Sequence, residues 1–420
     1  MGRRTLLLAG AFGVGGTAAV LIGGQGTAAI PLYSTTVALD ADGRPVLVPE
    51  GSADRVVPGT RVLAGTTATD ALVAAEKAWL GPSEPWVRGL GPFADLARAA
   101  LLDLRVLSGS LPAAVAGWSP QWRYAWPRDN AFIICALAEL GYLEDAFSQL
   151  SALEVLLSGS TGWFPARVDP WSGRVPDSRP AQLDGFGWVL WAARTLLGAG
   201  APLDRLREHA PLLVRATRGL LDSLGADALP TVSPDYWEVP ETSLTLGTAA
   251  AARIGLEAAG IVLPVLGEGA LGAVAIERGA ELGRRIVEVY APSYPRHPGR
   301  SDPCASVAFL GPPFVDAAVP GMRRALDAAV ERMRRPGGGL APGSGWRADG
   351  VSWTPETALV ALSLAGDGRP GQARGWLGWL DDHRTAAGSL PEKVLADGSP
   401  AAVAPLSWTA ATVLLALRRL

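Results

Sequence analysis

Carboxylate side chains stand beside aromatic residues in four loop-like segments of this 420-residue sequence. The segments are QWRYAWPRDNAF (121–132), RPAQLDGFGW (179–188), VSPDYWEVPE (232–241) and GSLPEKVLADGSPAAVAPLSW (388–408). Two carboxyl groups in different surroundings are the minimum apparatus for acid–base cleavage of a glycosidic bond. Aromatic rings and hydroxyl-binding polar groups nearby are typical of a sugar site, so these segments predict carbohydrate chemistry.

The third segment contains the best candidate for a general acid. Asp235, Glu238 and Glu241 stand around Tyr236 and Trp237. A carboxyl group packed against rings loses hydration water, which favours its neutral, proton-donating form. The alternative role is a carboxylate at a helix start, because an apolar run follows directly. That alternative fits Glu241 better than Glu238.

Glu392 in the fourth segment is the candidate for a general base. It directly follows Pro391, which restricts the backbone, and precedes Lys393, whose charge favours the ionised carboxylate. The alternative is a solvated loop glutamate. Asp184 in the second segment lies just before a predicted helix, where a helix N-cap is the alternative to a role in the site.

The first segment has the composition of a sugar-binding wall. Trp122, Tyr124 and Trp126 offer faces that stack on a pyranose ring, and Arg128 and Asp129 offer directional hydrogen bonds to its hydroxyls. The same pattern also suits a plain helix N-terminus, with a proline at the first helical position and an acidic residue in the first turn.

Other kinds of site find no support in the sequence. The net charge of −3 argues against nucleic acid as a partner, and the three histidines lack neighbours at metal-ligand spacing. No G-x-S-x-G elbow or phosphate-binding loop occurs. We therefore predict no metal and no cofactor. Cys135 lies in an apolar run, which favours two unpaired thiols, although a disulfide with Cys304 stays open.

The elements that must position these residues are helical. From Thr69 onward, about a dozen runs carry apolar residues at three- and four-residue spacing, separated by Gly and Pro. Residues 69–420 are therefore predicted to form a single all-α domain of helical hairpins with the chemistry on the loops. A closed ring and an open solenoid both fit this alternation, and the absence of a fixed short repeat favours the ring.

The amino-terminal part has a different composition. Arg3 and Arg4 precede an apolar run and then small residues ending at Ala29, which predicts a signal peptide or membrane anchor over 1–29. Residues 30–68 are predicted to be a linker or a few short strands. We therefore expect an extracytoplasmic protein, secreted or held at the membrane through this segment if it is not cleaved. The sequence does not define the oligomeric state.

The order of the motifs resembles glycoside hydrolase family 15, which contains glucoamylases, glucodextranases and trehalases. The resemblance rests on YAWPRDNAF from Tyr124, QLDGFGWVLWA from Gln182, PDYWE from Pro234, GWRADGVSWTPETALVAL from Gly345 and the fourth segment. It covers roughly residue 101 to the C-terminus. An amino-terminal β-sandwich usual in bacterial relatives has no room here, and the PARVDPWSGR region and residues 260–313 match the family poorly.

The resemblance implies an (α/α)6 barrel and an exo-acting, inverting hydrolase that releases glucose from α-glucans or other α-glucosides. It implies that Glu238 is the general acid and Glu392 the general base, separated by roughly 6.5–9.5 Å to admit water. The implied sugar-binding residues are Trp122, Tyr124, Trp126, Arg128, Asp129, Asp184, Trp237, Arg347 and Trp408. Two alternatives remain: trehalase-type action on a disaccharide, and a non-catalytic carbohydrate-binding barrel tethered to the envelope.

Overall fold

The computed structural model describes residues 30–158 and 162–420, so the predicted export segment 1–29 lies outside the described residues. The helices within these ranges are α1 (Thr69–Leu80), α2 (Glu84–Gly89), α3 (Ala94–Ser108), α4 (Pro127–Glu139), α5 (Leu143–Ser158), α6 (Asp184–Gly198), α7 (Leu203–Glu208), α8 (Ala210–Asp222), α9 (Leu246–Val265), α10 (Gly269–Tyr290), α11 (Met322–Met333), α12 (Thr354–Gly366), α13 (Pro370–Asp382) and α14 (Ser407–Leu417).

Two small antiparallel sheets accompany the helices. β1 (Thr36–Leu39) and β2 (Pro45–Val48) form a hairpin, so short strands do occur between residues 30 and 68. The second sheet has the order β3–β4–β5, with β3 at Ser352–Trp353, β4 at Lys393–Val394 and β5 at Pro400–Ala401. This sheet joins the start of α12 to the loop that carries Glu392.

Six inner elements form a closed ring. They are α4, α6, α9, the 3₁₀ segment Ala305–Leu310, α12 and α14; each contacts the next, and α14 returns to α4. Their residues are buried almost throughout. This burial agrees with their Ala- and Leu-rich composition, because a helix that is apolar on every side needs neighbours on every side.

An outer layer surrounds the ring, and most of its helices are buried on one side only. It consists of α3, α5, α8, α10, α11 and α13, each packed on an inner element. In α8, for example, Leu213, Thr217 and Leu220 are buried at helical spacing while other positions are exposed. The alternation of inner and outer elements confirms the predicted (α/α)6 barrel and rules out the open solenoid.

One inner position departs from the regular pattern. The fifth inner element is a 3₁₀ segment, Ala305–Leu310, which follows α10 after a loop and is completely buried. This segment lies within residues 260–313, where the resemblance to the family is poorest.

The second glycine of the QLDGFGW motif has a packing role. A Cβ atom on Gly187 in α6 would lie 2.0 Å from the backbone oxygen of Ala251 in α9. Gly255 of α9 faces the same contact, since a Cβ there would lie 2.6 Å from the Cα of Gly187. The backbones of two inner helices therefore touch at this point, which only glycine permits.

Two sequence features are settled by burial in the barrel. Within the described ranges one helix, α9, is long and apolar enough to cross a membrane, and it is mostly buried as a core helix. Cys135 and Cys304 are both buried and free, which confirms the interpretation of two unpaired thiols. Burial raises the pKa of both thiols above its ordinary value, so neither is a reactive thiolate.

Candidate active site

A cavity of about 640 Å³ lies at the end of the barrel where α4, α12 and α14 begin. All but two of the predicted site residues line it: Trp122, Trp126, Arg128, Asp129, Trp237, Glu238, Arg347, Glu392 and Trp408. They come from loops and helix starts separated by hundreds of residues in the chain. The ring of inner helices brings them together because each inner helix starts at the same end.

Glu238 reaches the cavity from the loop before α9. Its carboxylate Oε1 accepts a hydrogen bond from the indole Nε1 of Trp126 at 2.5 Å and lies 3.5 Å from Nη2 of Arg128. Its Oε2 is paired with Arg179. The backbone of Glu238 has φ +54°, a left-handed conformation that costs free energy in a non-glycine residue and clusters at functional sites.

The two other carboxylates of this segment hold the loop in place. Asp235 makes two hydrogen bonds of 2.8 Å with the buried Arg296, and Glu241 accepts from Arg296 at 2.6 Å and from His297 at 2.8 Å. The Arg296 guanidinium also lies 3.8 Å from the centre of the Trp237 ring. Of the three predicted candidates in this segment, only Glu238 therefore faces the cavity.

Glu392 lines the same cavity and lies on the loop that precedes β4. Its Oε1 accepts a hydrogen bond from Nε1 of Trp122 at 3.2 Å, and its Oε2 lies 3.2 Å from Nζ of Lys393. The residue is buried, with 8% of its surface exposed, so the alternative of a solvated loop glutamate is wrong. The ion pair with Lys393 agrees with the sequence-based expectation.

Arg128 and Asp129 occupy the first turn of α4 and are both buried. Their side chains lie 3.3 Å apart, and the guanidinium stands 5.0 Å from the centre of the Trp408 ring. Burial raises the pKa of Asp129 to about 6, against the opposing effect of Arg128. Nε and Nη1 of Arg128 and Oδ2 of Asp129 are buried and have no hydrogen-bond partner among the described residues.

Two predicted residues support the cavity from behind without lining it. Tyr124 packs edge-on against Trp126, with ring centres 6.3 Å apart. Asp184 starts α6, accepts from Nε1 of Trp188 at 3.2 Å and lies 3.8 Å from Nη1 of Arg128. Burial raises the pKa of Asp184 to about 6. Asp184 is therefore placed to orient Arg128, and it does not itself line the cavity.

The structure adds lining residues that the motifs did not single out. They are Tyr33, Arg167, Arg179, Tyr236, Trp346, Asp349, Trp353 and Glu356. Trp346 and Trp353 lie on either side of Arg347 in the sequence. Their closeness to a predicted site residue was therefore a signal that could have found them. Arg179 and Glu356 gave no signal, because a loop arginine and a helix-start glutamate are common on any protein surface.

The described residues hold no group of three or more His, Cys, Asp or Glu side chains that could bind a metal ion. The carboxyl groups that line the cavity can donate and accept protons, and the aromatic faces beside them offer surfaces for stacking.

Comparison with known sequences agrees with the motifs. The family model for glycosyl hydrolases family 15 matches residues 99–164, which run from α3 through α4 and α5 to the loop beyond. No curated protein matches the sequence. The resemblance to this family is thus confirmed over the segment that contains YAWPRDNAF.

Solved structures share the fold over most of the chain. A glycosidase is similar with a TM-score of 0.67 and 21% identity, covering 79% of this chain and 98% of its own. A bacterial glucoamylase complexed with acarbose gives 0.64 and 16%, covering 77% of this chain and 55% of that one. Glucoamylase from Saccharomycopsis fibuligera gives 0.62 and 12%, covering 80% and 95%. These likenesses establish a glucoamylase-like helical barrel and, with the family match, support a glycoside hydrolase.

Proposed function

We propose that this chain is an inverting, exo-acting glycoside hydrolase that releases glucose from the non-reducing ends of α-glucosides. Glu238 is the general acid and Glu392 is the general base. The observation that carries the proposal is that both carboxylates, from loops more than 150 residues apart, line one cavity and each accepts an indole N–H. A cavity of this volume lies in the usual range for a small-ligand site.

In the proposed reaction the two carboxyl groups have separate roles. Glu238 donates a proton to the glycosidic oxygen while the bond from that oxygen to C1 breaks. Glu392 takes a proton from a water molecule that attacks C1 on the opposite face, so an α-glucoside yields β-glucose. Glu238 is then ionised and Glu392 protonated, and exchange with solvent restores both. The Trp122 indole orients Glu392 for this step.

Attack at chain ends is favoured by the packing beneath the cavity. Trp408 lines the cavity and packs against Phe132, whose ring in turn contacts those of Trp188, Trp191 and Phe314. This aromatic core closes the barrel below the cavity. A glucan chain therefore enters with one end and cannot thread through, which selects the terminal sugar. Arg128 and Asp129 are placed to bind its hydroxyls.

The experiment that tests the proposal is NMR of the first-formed anomer during digestion of maltose, longer α-glucans and trehalose. We expect β-glucose from the non-reducing end of α-glucans. Rapid release from trehalose alone indicates the trehalase-type alternative, and α-glucose as first product contradicts inversion. Sugar binding with no hydrolysis of any compound in the panel indicates the non-catalytic, envelope-tethered alternative. Similar structures in complex with glucose and acarbose support the choice of α-glucosides.

We also propose that the protein acts outside the cytoplasm, secreted or anchored through residues 1–29. The support is the charge and apolar pattern of that segment. Expression of the full chain followed by cell fractionation and amino-terminal sequencing tests this location. Recovery of the intact chain in the cytoplasm contradicts it.

A further inference from the structure

The carboxyl group of Glu356 in the cavity has no assigned role. Glu356 is the third residue of α12, lines the cavity and has only 3% of its surface exposed. The Oε2 atom of its carboxyl group has no hydrogen-bond partner among the described residues. Buried polar atoms are nearly always satisfied, so an unpaired oxygen at a cavity wall indicates a partner that comes from the ligand side.

The position of Glu356 is fixed relative to Glu392. The backbone N–H of Thr354, two residues earlier, donates to the Glu392 carbonyl oxygen at 3.1 Å, and Trp353 pairs with Lys393 between β3 and β4. The start of α12 and the loop that carries Glu392 therefore move together. Both carboxyl groups line the same cavity.

The surroundings of Glu356 decide its charge. Burial and the neighbouring Glu392 carboxylate raise its pKa to about 8, while Arg128 and Lys393 oppose this shift. The residue is therefore mainly neutral at pH 7, which avoids burying a second negative charge beside Glu392. A neutral carboxylic acid has one O–H donor and a free acceptor oxygen, the combination that a sugar hydroxyl matches.

We propose that Glu356 is a sugar-binding residue that, in its protonated form, donates a hydrogen bond to one hydroxyl of the bound glucose and accepts one from it. The inference rests on the proposed function, because it places glucose in this cavity. It makes Glu356 a determinant of which sugar is accepted, since a sugar without that hydroxyl leaves the buried acid unpaired.

Isothermal titration calorimetry with glucose tests this role without requiring turnover. Glu356→Leu removes both hydrogen-bonding functions at similar size, and we expect glucose affinity to fall about 5- to 100-fold. Glu356→Gln keeps a donor and an acceptor, so its affinity at pH 6 is expected within about threefold of wild type. Wild-type affinity in the leucine variant overturns the proposal.

The pH dependence supplies a second, independent readout. Wild-type affinity is expected to fall between pH 7 and 9 as Glu356 loses its proton beside Glu392, whereas affinity in Glu356→Gln stays level over that range. The same decline in both proteins overturns the proposal, even if the leucine variant fails to fold. If Glu356 were purely structural, its replacement would change the melting temperature. Wild type and Glu356→Gln would then show the same pH profile of glucose affinity.

The outcomes also separate this inference from the proposed function. Glucose binding with the expected Glu356 effects, but without hydrolysis of α-glucosides, supports the sugar-binding role and contradicts the hydrolase. Hydrolysis with no effect of Glu356 on glucose affinity contradicts the sugar-binding role alone. A wild-type protein that binds no glucose contradicts the sugar-binding role, and the hydrolase is then judged by the digestion of α-glucosides alone.

Discussion

Trp126 donates its indole N–H to the carboxylate of Glu238 at 2.5 Å, across 112 positions of sequence. The indole of Trp122, four positions earlier in the sequence, donates in the same way to Glu392 at 3.2 Å. Two tryptophans of a single short loop thus position two carboxylates that arrive from different parts of the chain. The aromatic segment before α4 therefore contacts both carboxylates of the proposed acid–base pair and also forms a wall of the cavity.

Replacing these indoles tests the orienting role. Trp126→Phe removes the donor to Glu238 while keeping an aromatic face, and we expect kcat to fall about tenfold, most on substrates with poor leaving groups. Trp122→Phe removes the donor to Glu392, so its loss should be similar for all leaving groups. Steady-state kinetics on a series of aryl and alkyl α-glucosides measures both. Identical leaving-group dependence in the two variants would falsify the assignment of separate roles.

The two carboxylates are tested directly by amide substitutions. Glu392→Gln should lower kcat by about 10²- to 10⁴-fold with little change in glucose affinity, because water activation is lost while the sugar contacts remain. Glu238→Gln should lose most on substrates with poor leaving groups, which need protonation. Kinetics combined with calorimetry on the same preparations separates turnover from binding. Full activity in either variant removes that residue from its proposed role.

Arg128 is expected to bind the terminal sugar through its unpaired N–H groups. Arg128→Lys keeps the positive charge near Asp129 and Asp184 but cannot reproduce the guanidinium fork. We expect glucose affinity to fall about tenfold, with the fold retained. Calorimetry and thermal unfolding measure the two effects. Unchanged affinity contradicts the assignment, and loss of folding shows that the arginine chiefly supports the barrel.

Arg179 is expected to hold the Glu238 carboxyl group in its working orientation. It is paired with both Glu238 and Asp177, on a loop that is otherwise largely exposed. Arg179→Ala should lower kcat about tenfold, because Glu238 then has one fewer hydrogen bond fixing its rotamer. Arg174→Ala, an exposed arginine on the same loop, is the matched control and should leave kcat unchanged. Equal behaviour of the two variants would show that the ion pair does not matter for turnover.

The contact between α6 and α9 gives a prediction about stability. Gly187→Ala should destabilise the fold by about 2–4 kcal/mol, because the new methyl group meets the backbone of Ala251. Gly198→Ala, at the open end of the same helix, has no neighbouring atom within 4 Å and should have little effect. Chemical denaturation compares them. A Gly187→Ala protein as stable as wild type would contradict the close packing of these helices.

Much of the architecture was readable from local patterns. The start of the helical region at Thr69 coincides with the start of α1, and the QLDGFGW and TPETALVAL runs became the inner helices α6 and α12. These helix predictions succeeded because helical periodicity and Gly or Pro boundaries are properties of short stretches of sequence. The 3₁₀ segment Ala305–Leu310 was not predicted, since a short apolar run adopts that form only when neighbouring helices enclose it.

The sequence predicted which residues belong to the site better than it predicted the contacts between them. The motifs named nine of the lining residues, because side-chain types and their order are properties of the chain, but they did not single out others such as Arg179 and Glu356. Residue chemistry alone offered three carboxylates, Asp235, Glu238 and Glu241, and it was the resemblance to the family that singled out Glu238. The pairing of Asp235 and Glu241 with Arg296, more than fifty residues away, is what leaves Glu238 facing the cavity.

By itself the sequence determined that helices alternate with aromatic, carboxylate-bearing loops, since helix periodicity and side-chain chemistry are local. Tertiary structure alone decided which carboxyl groups are buried, which are paired and which stay protonated. Glu356 illustrates the difference: its pKa depends on burial and on a glutamate 36 positions away, and both exist only once the ring of inner helices has closed.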